Sequence, residues 1–122
     1  MTDTTLLLRQ IHPTFIQAGR VTSQAFRPTI KDEGLLSVYD GDLISAHNAW
    51  LHHTTVNECK SQGVLAITVV ECAAESLGTR SDTDTFAEHA VVDFCGLSSN
   101  EMERKGKKLK VKATDRGWQF QC

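Results

Sequence analysis

The sequence has no apolar run long enough to cross a membrane. Its longest, Val64 to Val70, falls far short of the roughly 18 residues that a span requires. No secretory signal is expected, because Met1-Thr-Asp-Thr-Thr5 is not basic and only Leu6-Leu7-Leu8 follows before Arg9. The C-terminal Gln119-Phe-Gln-Cys122 is not a prenylation box. Prolines number only two, and no Pro- or Ser-rich stretch divides the chain, so a single domain over residues 1–122 is expected. No repeat of roughly 20–50 residues occurs, which excludes a solenoid.

Cysteine is sparse. Cys59, Cys72, Cys95 and Cys122 form no C-x-x-C, and their spacing fits neither a zinc site nor a disulfide framework. A cytoplasmic chain with reduced thiols is the expectation. The five histidines include no pair at i, i+4 and no H-E-x-x-H, since His47 and His52 are five apart and His52 and His53 are adjacent. The D-x-D pairs Asp40/Asp42 and Asp82/Asp84 lack the terminal Glu of a calcium loop, which would fall at Leu51 and Asp93, so they read as turn residues. No metal and no cofactor is expected. P-loop, G-x-G-x-x-G, G-x-S-x-G and kinase signatures are all missing, which removes the common nucleotide-binding and hydrolase classes as first choices.

What is present is an ordinary globular composition: 122 residues, 40% hydrophobic, 23% charged, net charge −2. A near-neutral chain has no global attraction for nucleic acid or anionic lipid. One region departs from neutrality. Arg104, Lys105, Lys107, Lys108, Lys110 and Lys112 crowd together with no acid among them. Without those six of the thirteen cations, seven face fifteen acids. No aromatic residue interleaves with the run to stack bases, so a solvated helix face is preferred to a nucleic-acid patch.

Strands are expected over Thr5 to His12, Arg20 to Phe26, Leu35 to Tyr39, Val64 to Val70 and His89 to Cys95. Pro13 opens a short helical turn through Ala18, ended by Gly19. Arg27 to Gly34 and Thr79 to Thr85 read as polar loops, and Asn57 to Gly63 as another. Ser45 caps a helix whose face carries Ala46, Ala49, Trp50 and His53. Glu71 to Leu77 is a second helix. The third begins at the capping box Ser98-x-x-Glu101, presents Met102, Gly106, Leu109 and Ala113 on one stripe, and ends at Gly117. Trp118 to Phe120 closes the chain as a short strand or docking tail. Near-continuous apolar character marks Val64 to Val70 as a central strand. The predicted architecture is α+β: one domain with a mostly antiparallel or mixed sheet and two or three helices packed on it.

Polar residues gather at predicted strand ends in three segments: Arg9-Gln-Ile-His12-Pro13, Val21-Thr-Ser23-Gln-Ala-Phe-Arg27-Pro28 and Leu36-Ser37-Val-Tyr39-Asp-Gly41. With His89 they yield a candidate ligand site of Arg9, His12, Ser23, Arg27, Ser37, Tyr39 and His89. A guanidinium fork among them suits a phosphate-bearing ligand. The pattern resembles a group of small bacterial proteins, over about the first third of the chain plus Glu88-His89-Ala90, and that resemblance implies no particular activity. A looser pattern resembles ADP-ribosyltransferases, which place an Arg or His, a Ser and an acid on successive strands. It implies Arg9 or His12 on the dinucleotide, Ser37 or Ser23 on the ribose, and Glu88 on the acceptor. Two readings follow. The first is a small non-catalytic accessory domain that binds another protein or a second copy of itself. The alternative is a small phosphate-ligand or nucleotide-binding protein or enzyme.

Overall fold

The computed structural model describes residues 1–122. In chain order it contains strand β1 (Leu6–Gln10), a hairpin of β2 (Ile16–Gln17) and β3 (Arg20–Val21), and strand β4 (Leu35–Asp40). Helix α1 (Ala46–Leu51), β5 (Gly63–Thr68), α2 (Val69–Ala74), β6 (Gly78–Ser81) and β7 (His89–Asp93) follow. Helix α3 (Ser99–Arg116) and β8 (Phe120–Gln121) complete the chain. The main sheet has the order β6-β7-β4-β1-β5-β8, and every pairing in it is antiparallel. The fold is therefore α+β, a single domain built on one six-stranded antiparallel sheet. No helix is long and apolar enough to cross a membrane.

Side-chain alternation explains how both faces are covered. Leu7 and Ile11, Leu36 and Val38, Leu65 and Ile67, and Ala90 and Val92 join one core with Phe26, Leu109 and Ala113. Leu8, Tyr39, Val64 and Ala66 join a second core with Ala49 and the flanking Trp50, Phe86 and Phe120. Strands β4 and β5 flank β1 and run parallel to each other, so the connection through α1 crosses one face of the sheet. Strands β7 and β8 lie four strand spacings apart, about 19 Å. The 18 residues of α3 make a rod of about 27 Å, long enough to cross the other face between them.

Local chemistry sets the helix ends. Ser98 and Glu101 satisfy each other's backbone N–H and start α3. Gly106 lies on its buried stripe, where a Cβ would stand 3.3 Å from Phe26 O, Ser23 O and Arg27 Cβ, so the absent side chain lets α3 press against the Ser23–Phe26 turn. Ser45 accepts from the Asn48 N–H and starts α1.

Four expected elements differ. The strand expected over Arg20 to Phe26 stops at Val21, and Ser23–Phe26 is a 3-10 turn that buries Phe26 in the core. The turn expected through Ala18 is shorter, Pro13–Phe15, because Ile16 and Gln17 pair with Val21 and Arg20 across an Ala18-Gly19 bend. Val69 and Val70 are helical rather than extended. Thr68 and Glu71 form a second capping box there, and two satisfied N–H groups outweigh the strand preference of two valines. Thr79 to Thr85 is not all loop, since Gly78–Ser81 pairs with β7 as an edge strand whose Arg80 bonds Asp93 at 3.0 Å. The acid pairs do serve as turn residues: Asp40 accepts from the Asp42 N–H, and Asp42 accepts from the Thr5 hydroxyl.

Candidate functional site

The sheet splits beside β1. On the β5 side, β1 is paired along its whole length, from Leu6 with Thr68 to Gln10 with Val64. On the β4 side pairing occurs only at Leu7 with Asp40 and Leu8 with Tyr39. Continuing that register would set Arg9 opposite Val38 and Gln10 opposite Ser37, yet neither pair forms. The two strands diverge there, and a hollow of about 230 Å³ lies at the divergence. Arg9, Gln10, Ser37, Tyr39, His53, Phe86 and His89 line it. A wider, shallower vestibule continues from Arg9, Gln10, Ser37 and His53 to His12, Phe15, Lys31 and Cys59.

Arg9 occupies the place of the missing ladder. Its Nε donates to Ala25 O at 2.6 Å and its Nη1 to Ser37 O at 2.9 Å. The guanidinium lies 5.5 Å from the centre of the Phe15 ring, a cation–π contact. Of the five N–H donors of an arginine, these bonds use two, and the other three have no protein partner. No carboxylate forms an ion pair with it. Burial pulls its pKa down to about 10, opposed by the charge of Asp32, so it remains a cation at neutral pH. Asp32 itself accepts from the Thr29 N–H and hydroxyl, which hold it in its own turn.

Gln10 presents a second unpaired group. The residue is 7% exposed. Ser61 donates to its Oε1 at 2.8 Å, and its Nε2 is buried with no partner. Exchanging the two amide atoms would leave Oε1 unpaired instead, so one end of this amide is unsatisfied in either assignment. Such a group costs about 1–3 kcal/mol when left unmet.

His53 is the third. After α1 the helix widens into a π turn over His52–Val56, closed by Asn57 N–H to His52 O. Two successive histidines thereby face the sheet. His52 Nδ1 meets the Tyr39 hydroxyl at 2.7 Å, and His53 lines the hollow without a hydrogen bond to its ring. Burial lowers the His53 pKa to about 4, with the charges of Arg9, His52 and His12 adding to it. Its imidazole is neutral at pH 7.

The other end of the hollow is aromatic. Phe86 packs against Tyr39 at 5.0 Å, His52 at 4.6 Å and His89 at 5.0 Å between ring centres. Burial raises the Tyr39 phenol, as do the charges of Cys59 and Glu88, and the group stays protonated. His89 is fixed by Asp82, whose carboxylate meets its Nδ1 at 3.1 Å.

The structure brings together Arg9, Ser37, Tyr39 and His89 in the hollow, with His12 in the vestibule. His12 Nδ1 accepts from the Thr14 N–H and caps the Pro13–Phe15 turn. Ser23 and Arg27 lie elsewhere, which corrects their inclusion in the candidate site. They follow the 3-10 turn onto α3, where Arg27 stands 3.6 Å from Glu103. Glu88 acts on Tyr39 through its charge but does not line the hollow, so the acid of the ADP-ribosyltransferase pattern is missing from it. Sequence reasoning missed Gln10, His53 and Phe86. A signal existed for Gln10: alternation places it on the face of Leu6 and Leu8, where a polar residue in a doubly covered strand needs a partner.

The basic run on α3 is partly neutralised. Lys105 donates to Glu75 O, Lys108 stands 3.6 Å from the Glu75 carboxylate, and Lys107 stands 3.4 Å from that of Glu103. Comparison with protein-family models, curated proteins and solved structures finds no match to this chain.

Proposed function

We propose that the protein binds a small anion, a phosphate- or carboxylate-bearing ligand, in the cleft between β1 and β4. The observation that carries this reading is Arg9, a partly buried cation without a carboxylate partner, beside a buried Gln10 amide with one end unsatisfied. A charged group drawn out of water is retained at little cost only when an opposite charge meets it. An oxyanion on the free edge of Arg9 supplies that charge. It also accepts from Gln10 and from a His53 ring that gains its proton as the anion arrives.

The test is a titration of the full chain with inorganic phosphate, followed by backbone and histidine-ring NMR. Saturable shifts at Arg9, Gln10, Ser37 and His53, abolished in Arg9→Met, support the reading. Shifts confined to Arg104 through Lys112 overturn it.

A second reading keeps the chain as an accessory domain that binds another protein or its own copy. It is favoured by Arg104, Lys110 and Lys112, which have no carboxylate partner among the ion pairs of α3. Steep weakening of a pull-down by salt, lost when these three become Gln, tests it. The free state of all four cysteines fits a reducing cytoplasm under either reading.

A further inference from the structure

We propose that Cys59 is a site of thiol–disulfide exchange with a small disulfide that carries carboxylates, and that the resulting adduct closes the anion cleft. The inference rests on the anion-binding reading, since a carboxylate of the incoming disulfide is held at Arg9 and Gln10 while its sulfur meets Cys59.

Local structure places the thiol. Beyond the π turn, Glu58 reverses the chain in the left-handed region, at φ 55°. The Cys59 N–H then returns to His53 O at 3.0 Å, and its Sγ donates to Asn57 O at 3.3 Å. These bonds hold an exposed thiol on the wall of the vestibule that Arg9 and Gln10 also line. Its charge reaches the Tyr39 phenol, which ties it to the hollow as well. Gln10 is an independent sign of a ligand here. It is 7% exposed, it lines hollow and vestibule alike, and one end of its amide is unpaired.

Charge selects the class of reagent. Arg9 and Lys31 bring two fixed positive charges to the vestibule, and its one carboxylate, Asp32, is engaged by Thr29. Glu58 and Lys60, on either side of Cys59, are of opposite sign. Such a surface draws in an anionic molecule and repels a cationic one.

The other thiols show what these surroundings add. Cys72 is buried. Cys95 and Cys122 are exposed like Cys59 but line no cavity. A hydrogen bond to the Asp93 carboxylate pushes the Cys95 thiol up, and the same carboxylate repels an anionic reagent. Cys59 alone combines exposure with cations in a cleft.

The exchange needs no oxidant beyond the disulfide itself. The Cys59 thiolate attacks one sulfur of the disulfide, so that a bond forms from Sγ to that sulfur and the original S–S bond breaks. The second half leaves as a thiolate and takes up the proton that Cys59 gave to solvent. Cys59 is oxidised and the departing sulfur is reduced. Carboxylates left on the adduct then occupy Arg9 and shut out a second anion.

The experiment exposes the full chain to glutathione disulfide, neutral 2-hydroxyethyl disulfide and cationic cystamine at constant ionic strength, with peptide mass spectrometry at Cys59, Cys95 and Cys122. Cys59 is expected to react with glutathione disulfide at least about tenfold faster than Cys95, and the neutral reagent to narrow that ratio to about threefold or less. Saturating phosphate, or Arg9→Met, is expected to slow glutathionylation of Cys59 by about fivefold and to leave its rate with the neutral reagent within about twofold. The Cys59 adduct is expected to lose the phosphate-induced shifts at Arg9, which Cys59→Ser retains after the same treatment. Equal preference for the three reagents at Cys59 and Cys95, or faster reaction of Cys59 with cystamine, overturns the inference. So does an adduct that still binds phosphate at Arg9. Phosphate shifts at Arg9 in the untreated chain leave the anion reading standing in each of these cases, and their absence removes both.

Discussion

The two halves of β1 contrast. Leu7 and Leu8 are bonded to strands on both sides and buried in the cores of both faces. Arg9 and Gln10, the next two residues, are paired in the ladder with β5 alone, and each carries polar groups that the chain does not satisfy. One half of the strand closes the fold and the other half opens a cleft in it. The difference shows that a ladder interrupted on one side is enough to open a hollow beside a core strand.

Removing Leu7 tests the closed half. Leu7→Ala leaves a cavity where the strand is packed on every side, and a loss of about 2–5 kcal/mol is expected in denaturant unfolding, with phosphate affinity unchanged if the variant folds. Arg9→Met tests the open half and should do the reverse. Two carbonyls lose donors, but an unpaired partly buried charge also goes, so stability should move by about 1 kcal/mol or less. Phosphate at a hundred times its Kd should raise the stability of the native chain by about 2.7 kcal/mol and leave the variant unaffected. A larger stability loss in Arg9→Met than in Leu7→Ala would erase the contrast and make Arg9 a structural plug.

His53 sharpens the comparison through pH. Its pKa falls from 6.5 in the open chain to about 4 in the fold, so between those values the unfolded state holds a proton that the native state lacks. Stability from this group is complete above pH 6.5 and is lost as pH falls toward 4, by roughly 1 kcal/mol once the partial exposure of the ring is allowed for. The positive groups that oppose its proton are Arg9, His52 and His12. An anion on Arg9 offsets them, so sulfate should bind with proton uptake below pH 6.5. Calorimetry in buffers of different ionisation enthalpy measures that uptake, and none is expected in His53→Gln.

The smallest effect concerns Gln10. Gln10→Leu removes an amide that is never fully satisfied, while Ser61 keeps its bonds to Gly63. Stability should be unchanged or rise by about 0.5 kcal/mol, and anion affinity should drop severalfold. A clear loss of stability would mean that the amide holds the strand rather than the ligand.

Much of the scaffold was legible in the residues. Ser98 with Glu101, the stripe through Gly106 and Leu109, the Ser45 cap and the apolar run from Val64 to Ile67 are local signals, and local signals determine local structure. The edge strand at Arg80 was hidden because a polar edge looks like a loop in sequence. Arg9, His12, Ser37, Tyr39 and His89 were picked out by residue type and strand position. Their company in the cleft was not, since Gln10, His53 and Phe86 are ordinary residues until their neighbours are known.

The amino-acid order by itself determined a doubly covered strand at Val64, the presence of three helices and the starts of α1 and α3, because alternation, capping and apolar spacing act within a few residues of chain. Only the tertiary structure decided that β4 leaves β1 after Leu8, that Ser23 and Arg27 turn away to α3, and that an arginine without a counter-charge lines the same hollow as an unpaired amide. Strand divergence is a relation between segments 28 residues apart, as in the Arg9 to Ser37 bond, and no local preference encodes it.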